Sequence, residues 1–120
     1  MQVDIHGPRG GNVREEYYIE PFALACMDIL GLTHYAHQLN IIVSNTFRHY
    51  PDAIGLCYGE DIWITIELAR KDRHGDKSNL LLTLAHEFIH VRQYIRGERF
   101  KERPARKHEE FVYDLALDRM

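Results

Sequence analysis

Hydrophobic positions change their spacing several times along this chain, and each change marks a predicted element. The run EPFALACMDIL from Glu20 is dense in helix formers, and Pro21 suits a first helical position because its missing N–H would be unpaired there. A helix over about residues 20–37 is expected, with Gly31 as an alternative end because glycine inside a helix costs about 1 kcal/mol relative to alanine. Leu39 to Val43 carries three consecutive β-branched residues and reads as a strand. In AIGLCYGEDIWITIEL, Ile62, Ile64 and Ile66 alternate with Trp63, Thr65 and Glu67. This predicts a hairpin of about 53–58 with 62–67, joined through Gly59, Glu60 and Asp61. The polar stretch 70–79 breaks that pattern and offers Asp76 or Ser78 as a helix N-cap. The following LLLTLAHEFIHVRQYIR is apolar nearly all round, as expected of a central helix covered on several sides, and Gly97 signals its end. Pro104 then opens a further helix carrying Phe111, Val112, Leu115 and Ala116. Residues 1–14, with Gly7, Pro8, Gly10 and Gly11 and few apolar side chains, are expected to form a loose arm.

Composition narrows the class without naming a partner. A chain of 120 residues suits one core, so a single domain over residues 1–120 is expected. At 45% hydrophobic and 28% charged it has the content of a folded globule, which excludes wholesale disorder. A net charge of -3 supplies no global field toward nucleic acid or anionic lipid. Six basic residues meet two acidic ones between 96 and 107, and the ordinary meaning of such a stretch is a solvated linker. No apolar run approaches the roughly 18–20 residues of a membrane span, and MQVDIHGPRGG lacks the apolar region of a signal peptide. The expectation is a cytoplasmic protein with no membrane partner. Cys26 and Cys57 are too few for a disulfide framework and too far apart for C-x-x-C, and read as reduced, packed thiols.

The chemistry lies in His86-Glu87-Phe88-Ile89-His90. Imidazoles at i and i+4 project from one helix face, so both can reach a single ion at the ~2.0–2.1 Å of a zinc–nitrogen bond, with Glu87 beside them to accept a proton from activated water. Burying two histidines and a glutamate unpaired among Leu, Ala, Phe and Ile costs several kcal/mol, and a metal ion removes that conflict. A third ligand is sought on the returning helix. If the central helix runs to Arg96 and the next starts at Pro104, Glu110 returns level with His90 and Asp114 level with His86. Asp114 could then accept the second N–H of a ligand histidine. Glu109 is the rival, since successive helical residues point ~100° apart and one of the pair faces the histidines. His6, His34, His37, His49, His74 and His108 read as surface histidines. Tyr58, Tyr94 and Tyr113 could donate to an oxyanion, but core aromatics are the commoner reading.

His86-Glu87-x-x-His90 followed by Glu110-x-x-x-Asp114 resembles the gluzincin branch of zinc metallopeptidases, in the compact form called minigluzincins. The resemblance covers roughly residues 39–118. It implies an α+β, zincin-like fold: a small mixed sheet of about three strands on an active-site helix, a returning glutamate helix and an N-terminal helix. It further implies zinc (Zn2+) held by His86, His90 and Glu110, Glu87 as general base, Asp114 behind the ligands, and a peptide or protein substrate. An edge strand, from 53–58 or 62–67, would pair with the substrate backbone. The metzincin pattern fails, because Gln93 stands at its glycine position and Arg96 at its last histidine. The alternative expectation, in which the C-terminal domain of larger gluzincins is missing, keeps the zinc but not the reaction: a catalytically latent, zinc-stapled binding or regulatory module.

Overall fold

The computed structural model describes residues 1–45, 54–70 and 77–120. Its elements in chain order are β1 (Gln2–His6), α1 (Glu16–Ile29), β2 (Gln38–Ser44), β3 (Gly55–Glu60), β4 (Trp63–Ala69), α2 (Lys77–Ile95) and α3 (Glu102–Asp118). The strands form one four-stranded mixed sheet in the order β1-β2-β4-β3. β1 and β4 run parallel to β2, and β3 runs antiparallel to β4. With three helices, this is an α+β architecture.

Period-two alternation builds the centre of the sheet. Leu39, Ile41 and Val43 of β2 stand opposite Ile64, Ile66 and Leu68 of β4, and all six are buried. Helices α1 and α2 cover this face, while α3 packs on α1 and α2 rather than on the sheet. Phe22 and Phe88 are fully buried between these layers.

Three expectations change. Residues 2–6 belong to the fold, because Ile5 is buried opposite Ile41 and the strand pairs along β2; the sheet therefore has four strands rather than about three. Helix α1 begins at Glu16 and ends at Ile29, so Pro21 lies inside it. Burial of Tyr18, Ile19, Phe22, Ala23, Cys26 and Met27 gives it a continuous helical stripe, and that tertiary contact outweighs the preference of proline for a first turn. In the hairpin, Ile62 is an exposed turn residue, and Ile64, Ile66 and Leu68 form the inward set. Residue 53 of the expected hairpin and Asp76 of the expected cap lie outside the described residues.

Gly31, the alternative end rather than residue 37, closes α1, and Gly97 closes α2 as expected, each with positive φ (71° and 70°). Leu32 N–H donates to Met27 O and Glu98 N–H to Gln93 O, the six-residue closure of a Schellman end. One buried ion pair ties the sheet to α1. Arg70, just after β4, donates from Nε and an Nη to the two carboxylate oxygens of Glu15 at 2.6 and 2.7 Å. Among the described residues no helix is long and apolar enough to cross a membrane.

Candidate metal centre

Helix α2 fixes both histidines on the face that meets α3. Their rings lie 5.0 Å apart and nearly perpendicular. Among the described residues His86, Glu87 and His90 form a group whose potential ligand atoms all lie within 4.8 Å of one another. His90 and Glu87 are buried, at 3% and 4% exposure, so neither can rely on water.

Two carboxylates from α3 complete the surroundings: Glu102, which was not expected, and Glu109, the rival to Glu110. Glu102 places one oxygen 2.6 Å from His90 Nε2 and the other 3.1 Å from His86 Nε2. Glu109 Oε2 lies 2.8 Å from His86 Nδ1. Gln93 Oε1 lies 2.8 Å from His90 Nδ1. Each imidazole thus has its Nδ1 engaged at the rear and its Nε2 turned toward a shared point at Glu102. Phe100 stacks on the His90 ring at 5.2 Å, closing one side.

Glu110 and Asp114, expected as third ligand and its supporting carboxylate, are exposed, and the structure does not bring them to the histidines. The expectation placed Pro104 first in the returning helix; instead Pro104 is third, since α3 starts at Glu102. Proline is tolerated throughout a first turn, where its missing N–H has no partner to lose. The carboxylate at His90 is that of Glu102, the first residue of α3, not that of Glu110. Ala105, Val112 and Ala116 are the buried stripe of α3, and Glu109 falls in the same stripe, one turn from each of Ala105 and Val112. The rival acidic residue thus faces His86. Gln93 and Glu102 had no signal in the motif itself; Glu102 lay inside a stretch read as a basic linker.

Electrostatics follow from this packing. Burial pushes the Glu87 carboxyl up to about 7; His90 opposes that shift, while the nearby charges of Glu102 and Glu109 reinforce it. Glu87 Oε2 is buried without a hydrogen-bond partner. Partial burial raises Glu102 too, but hydrogen bonds and charge from His90 and His86 outweigh it and hold its carboxyl below the ordinary value.

A cleft of about 390 Å³ opens over these residues, lined on the α2 side by Leu82, Thr83, His86 and Glu87, on the α3 side by Glu102, Arg106 and Glu109, and by Ile54 and Gly55 at the start of β3. Strand β3 is the sheet edge beside the cleft, whereas residues 63–67 of the other expected segment lie in the interior strand β4 and cannot supply one. Glycine is required at 55 by close approach: a Cβ there would stand 2.5 Å from Thr83 Cγ2 and 3.3 Å from Glu87 Cγ. Gly55→Ala is expected to destabilise the fold by about 1–3 kcal/mol through overpacking, measured as a lowered denaturation midpoint; an unchanged midpoint would mean the strand can retreat freely.

The remaining expectations can be placed. Tyr94 donates to Asp61 O at 2.7 Å, and Tyr113 packs near Phe22, with ring centroids 6.0 Å apart. Neither they nor Tyr58 line the cleft. His34 and His108 are exposed, His6 Nδ1 meets Gly7 O at 2.8 Å, and His37 lies edge-on to Tyr35 and Tyr94. His49 and His74 lie outside the described residues. Cys26 and Cys57 are free thiols, and burial raises both, Cys26 to about 12. No family model matches the chain, and no match emerges among curated proteins or solved structures.

Proposed function

We propose that this chain is a zinc-dependent metallopeptidase in which His86, His90 and Glu102 are the protein donors to the metal and Glu87 is the general base. The observation that carries the reading is the convergence of two Nε2 atoms on one carboxylate while both Nδ1 atoms face other acceptors. A neutral imidazole that donates from Nδ1 presents a lone pair at Nε2, and a lone pair against a carboxylate oxygen is repulsive. Extra protons on the rings or the carboxylate, or a cation joining the three groups, remove that repulsion. Two nitrogens, each on a ring backed at Nδ1 by a second partner, and one carboxylate suit zinc at a three-ligand site that leaves a position for water.

Zinc at such a site acts as a Lewis acid and lowers the pKa of bound water to about 7. Glu87 contributes a carboxylate oxygen with no competing hydrogen bond, poised to take a proton and return it to a leaving amine. The exposed side of β3 offers an extended peptide a ladder of backbone groups beside the cleft. A glutamate third donor keeps the reading gluzincin-like and the fold zincin-like, with Glu102 in the place expected for Glu110.

Elemental analysis of purified protein tests the metal, with one zinc per chain expected. A mixed peptide library tests the reaction: cleavage should appear, stop on chelation and return with added zinc. Glu102→Ala should weaken zinc binding more than about 100-fold, beyond the 10–100-fold usual for residues behind the ligands, while Glu110→Ala should leave it unchanged. A protein that takes up no stoichiometric zinc, or that loses it on Glu110→Ala, would overturn the assignment. Stoichiometric zinc with no cleavage of any peptide would favour the latent binding module.

A further inference from the structure

We infer that Gln93 is a positioning residue that couples the metal-facing state of His90 to the placement of Glu102. The inference rests on the proposed metal centre but adds a device to it: one side-chain amide that sets both a histidine donor and the carboxylate donor, from two different helices.

The argument begins with which end of the amide is oxygen. Lys101 N–H, which can only donate, lies 3.0 Å from Gln93 Oε1, and Lys101 C=O, which can only accept, lies 3.2 Å from Gln93 Nε2. The backbone of Lys101 therefore fixes the amide with its oxygen toward His90. That oxygen lies 2.8 Å from His90 Nδ1, so Nδ1 must carry the proton. Nε2 is left as the nitrogen available to a metal, and a hydrogen bond from Nδ1–H to an acceptor makes it a better donor.

The same amide holds the chain on the other side. Lys101 is the residue immediately before α3, and no side chain of its own caps that helix. Its backbone N–H donates to Gln93 Oε1 and its C=O accepts from Gln93 Nε2, and the next residue is Glu102, whose oxygens meet both Nε2 atoms. Gln93 is 6% exposed, so water cannot easily replace these bonds. Its backbone C=O also receives Glu98 N–H, which begins the return toward Lys101. A loop that would otherwise be free to vary its approach is fixed at both of its ends by one residue of α2.

Two substitutions separate the roles. Gln93→Leu removes every side-chain bond. Gln93→Glu keeps an acceptor for His90 Nδ1–H and Lys101 N–H, and loses the donation to Lys101 O. The readouts are the zinc dissociation constant, by competition with a chelator, and the His90 ring signals in long-range 1H–15N spectra, recorded with and without zinc. Wild type should show a His90 Nδ1–H protected from solvent exchange in both samples. Gln93→Leu should lose that protection and bind zinc about 10- to 100-fold more weakly, and Gln93→Glu should restore the protection and most of the affinity. Unchanged affinity and an unchanged His90 signal in Gln93→Leu would overturn the inference. So would a Gln93→Glu protein as weak as Gln93→Leu, since the amide would then act only as a loop tie. If the wild-type protein takes up no zinc, the metal centre fails, and the zinc-free spectra still decide whether Gln93 governs His90.

Discussion

Glu87→Gln is expected to reduce peptide hydrolysis by at least about 10²- to 10⁴-fold, the usual contribution of a positioned acid–base group, while zinc content stays at the wild-type level. The substitution keeps the shape of the side chain and removes its ability to take a proton. The surroundings accept that change. Glu87 is buried, its carboxyl is pushed up to about 7 by that burial, and its Cγ leaves little room for a side chain at Gly55. A neutral amide of the same size relieves the cost of burying charge and keeps the packing, so the fold and the histidine pair should persist. Metal content decides between two roles for this residue. Its Oε1 lies 3.9 Å from His86 Nε2, within reach of a shared ion after a small movement. If Glu87→Gln loses zinc together with activity, Glu87 is a ligand and the general base lies elsewhere. Loss of kcat with zinc retained and KM little changed is the signature of a group that acts mainly in the transition state.

The metal-facing side of α2 was legible because i, i+4 spacing is a property of the helix itself: once 77–95 is helical, His86 and His90 share a face whatever surrounds them. The inward residues of β2 and β4 were legible for the same local reason. The partners across space were not. Which acidic residue of α3 reaches His90 depends on where the return loop lets the helix begin. The contacts come from Glu102 and Glu109 because both lie on the face of α3 that buries Ala105, Val112 and Ala116, and matching heights along the chain does not specify which face turns inward. The first strand was legible in part, since Met1, Val3 and Ile5 alternate with Gln2, Asp4 and His6, but so short a run beside Gly7 and Pro8 is decided only by its pairing with β2. Pro21 misplaced the start of α1 because a local preference of proline was set against a buried stripe that only the packed molecule reveals.

Arg70→Met is expected to destabilise the protein by about 3–5 kcal/mol at neutral pH, the cost of breaking a buried pair by removing one member. Glu15 is 2% exposed, and the guanidinium of Arg70 bonds both of its carboxylate oxygens. Arg14 also approaches Glu15 at 3.3 Å, but its side chain is 64% exposed and can replace little of what is lost. The pair joins the residue after β4 to the residue before α1, so its loss should loosen the contact between sheet and first helix before it disturbs α2 and α3. The pH dependence gives a second, independent reading. Hydrogen bonding to Arg70, acting against burial, holds the Glu15 carboxyl below its ordinary 4.5. A carboxyl lowered in the folded state contributes stability that is fully present above its unfolded value and is lost as pH falls through the folded value. In Arg70→Met the sign reverses, because burial without the cation favours the protonated acid. The destabilisation should therefore be largest near pH 7 and shrink as pH falls, first through the raised Glu15 value of the variant above 4.5 and then through the lowered wild-type value below it. Denaturant unfolding of both proteins across that range measures it. A penalty that stays constant with pH would assign the effect to lost packing of the arginine stem, and Glu15→Gln combined with Arg70→Met should recover much of the stability if charge is the cause.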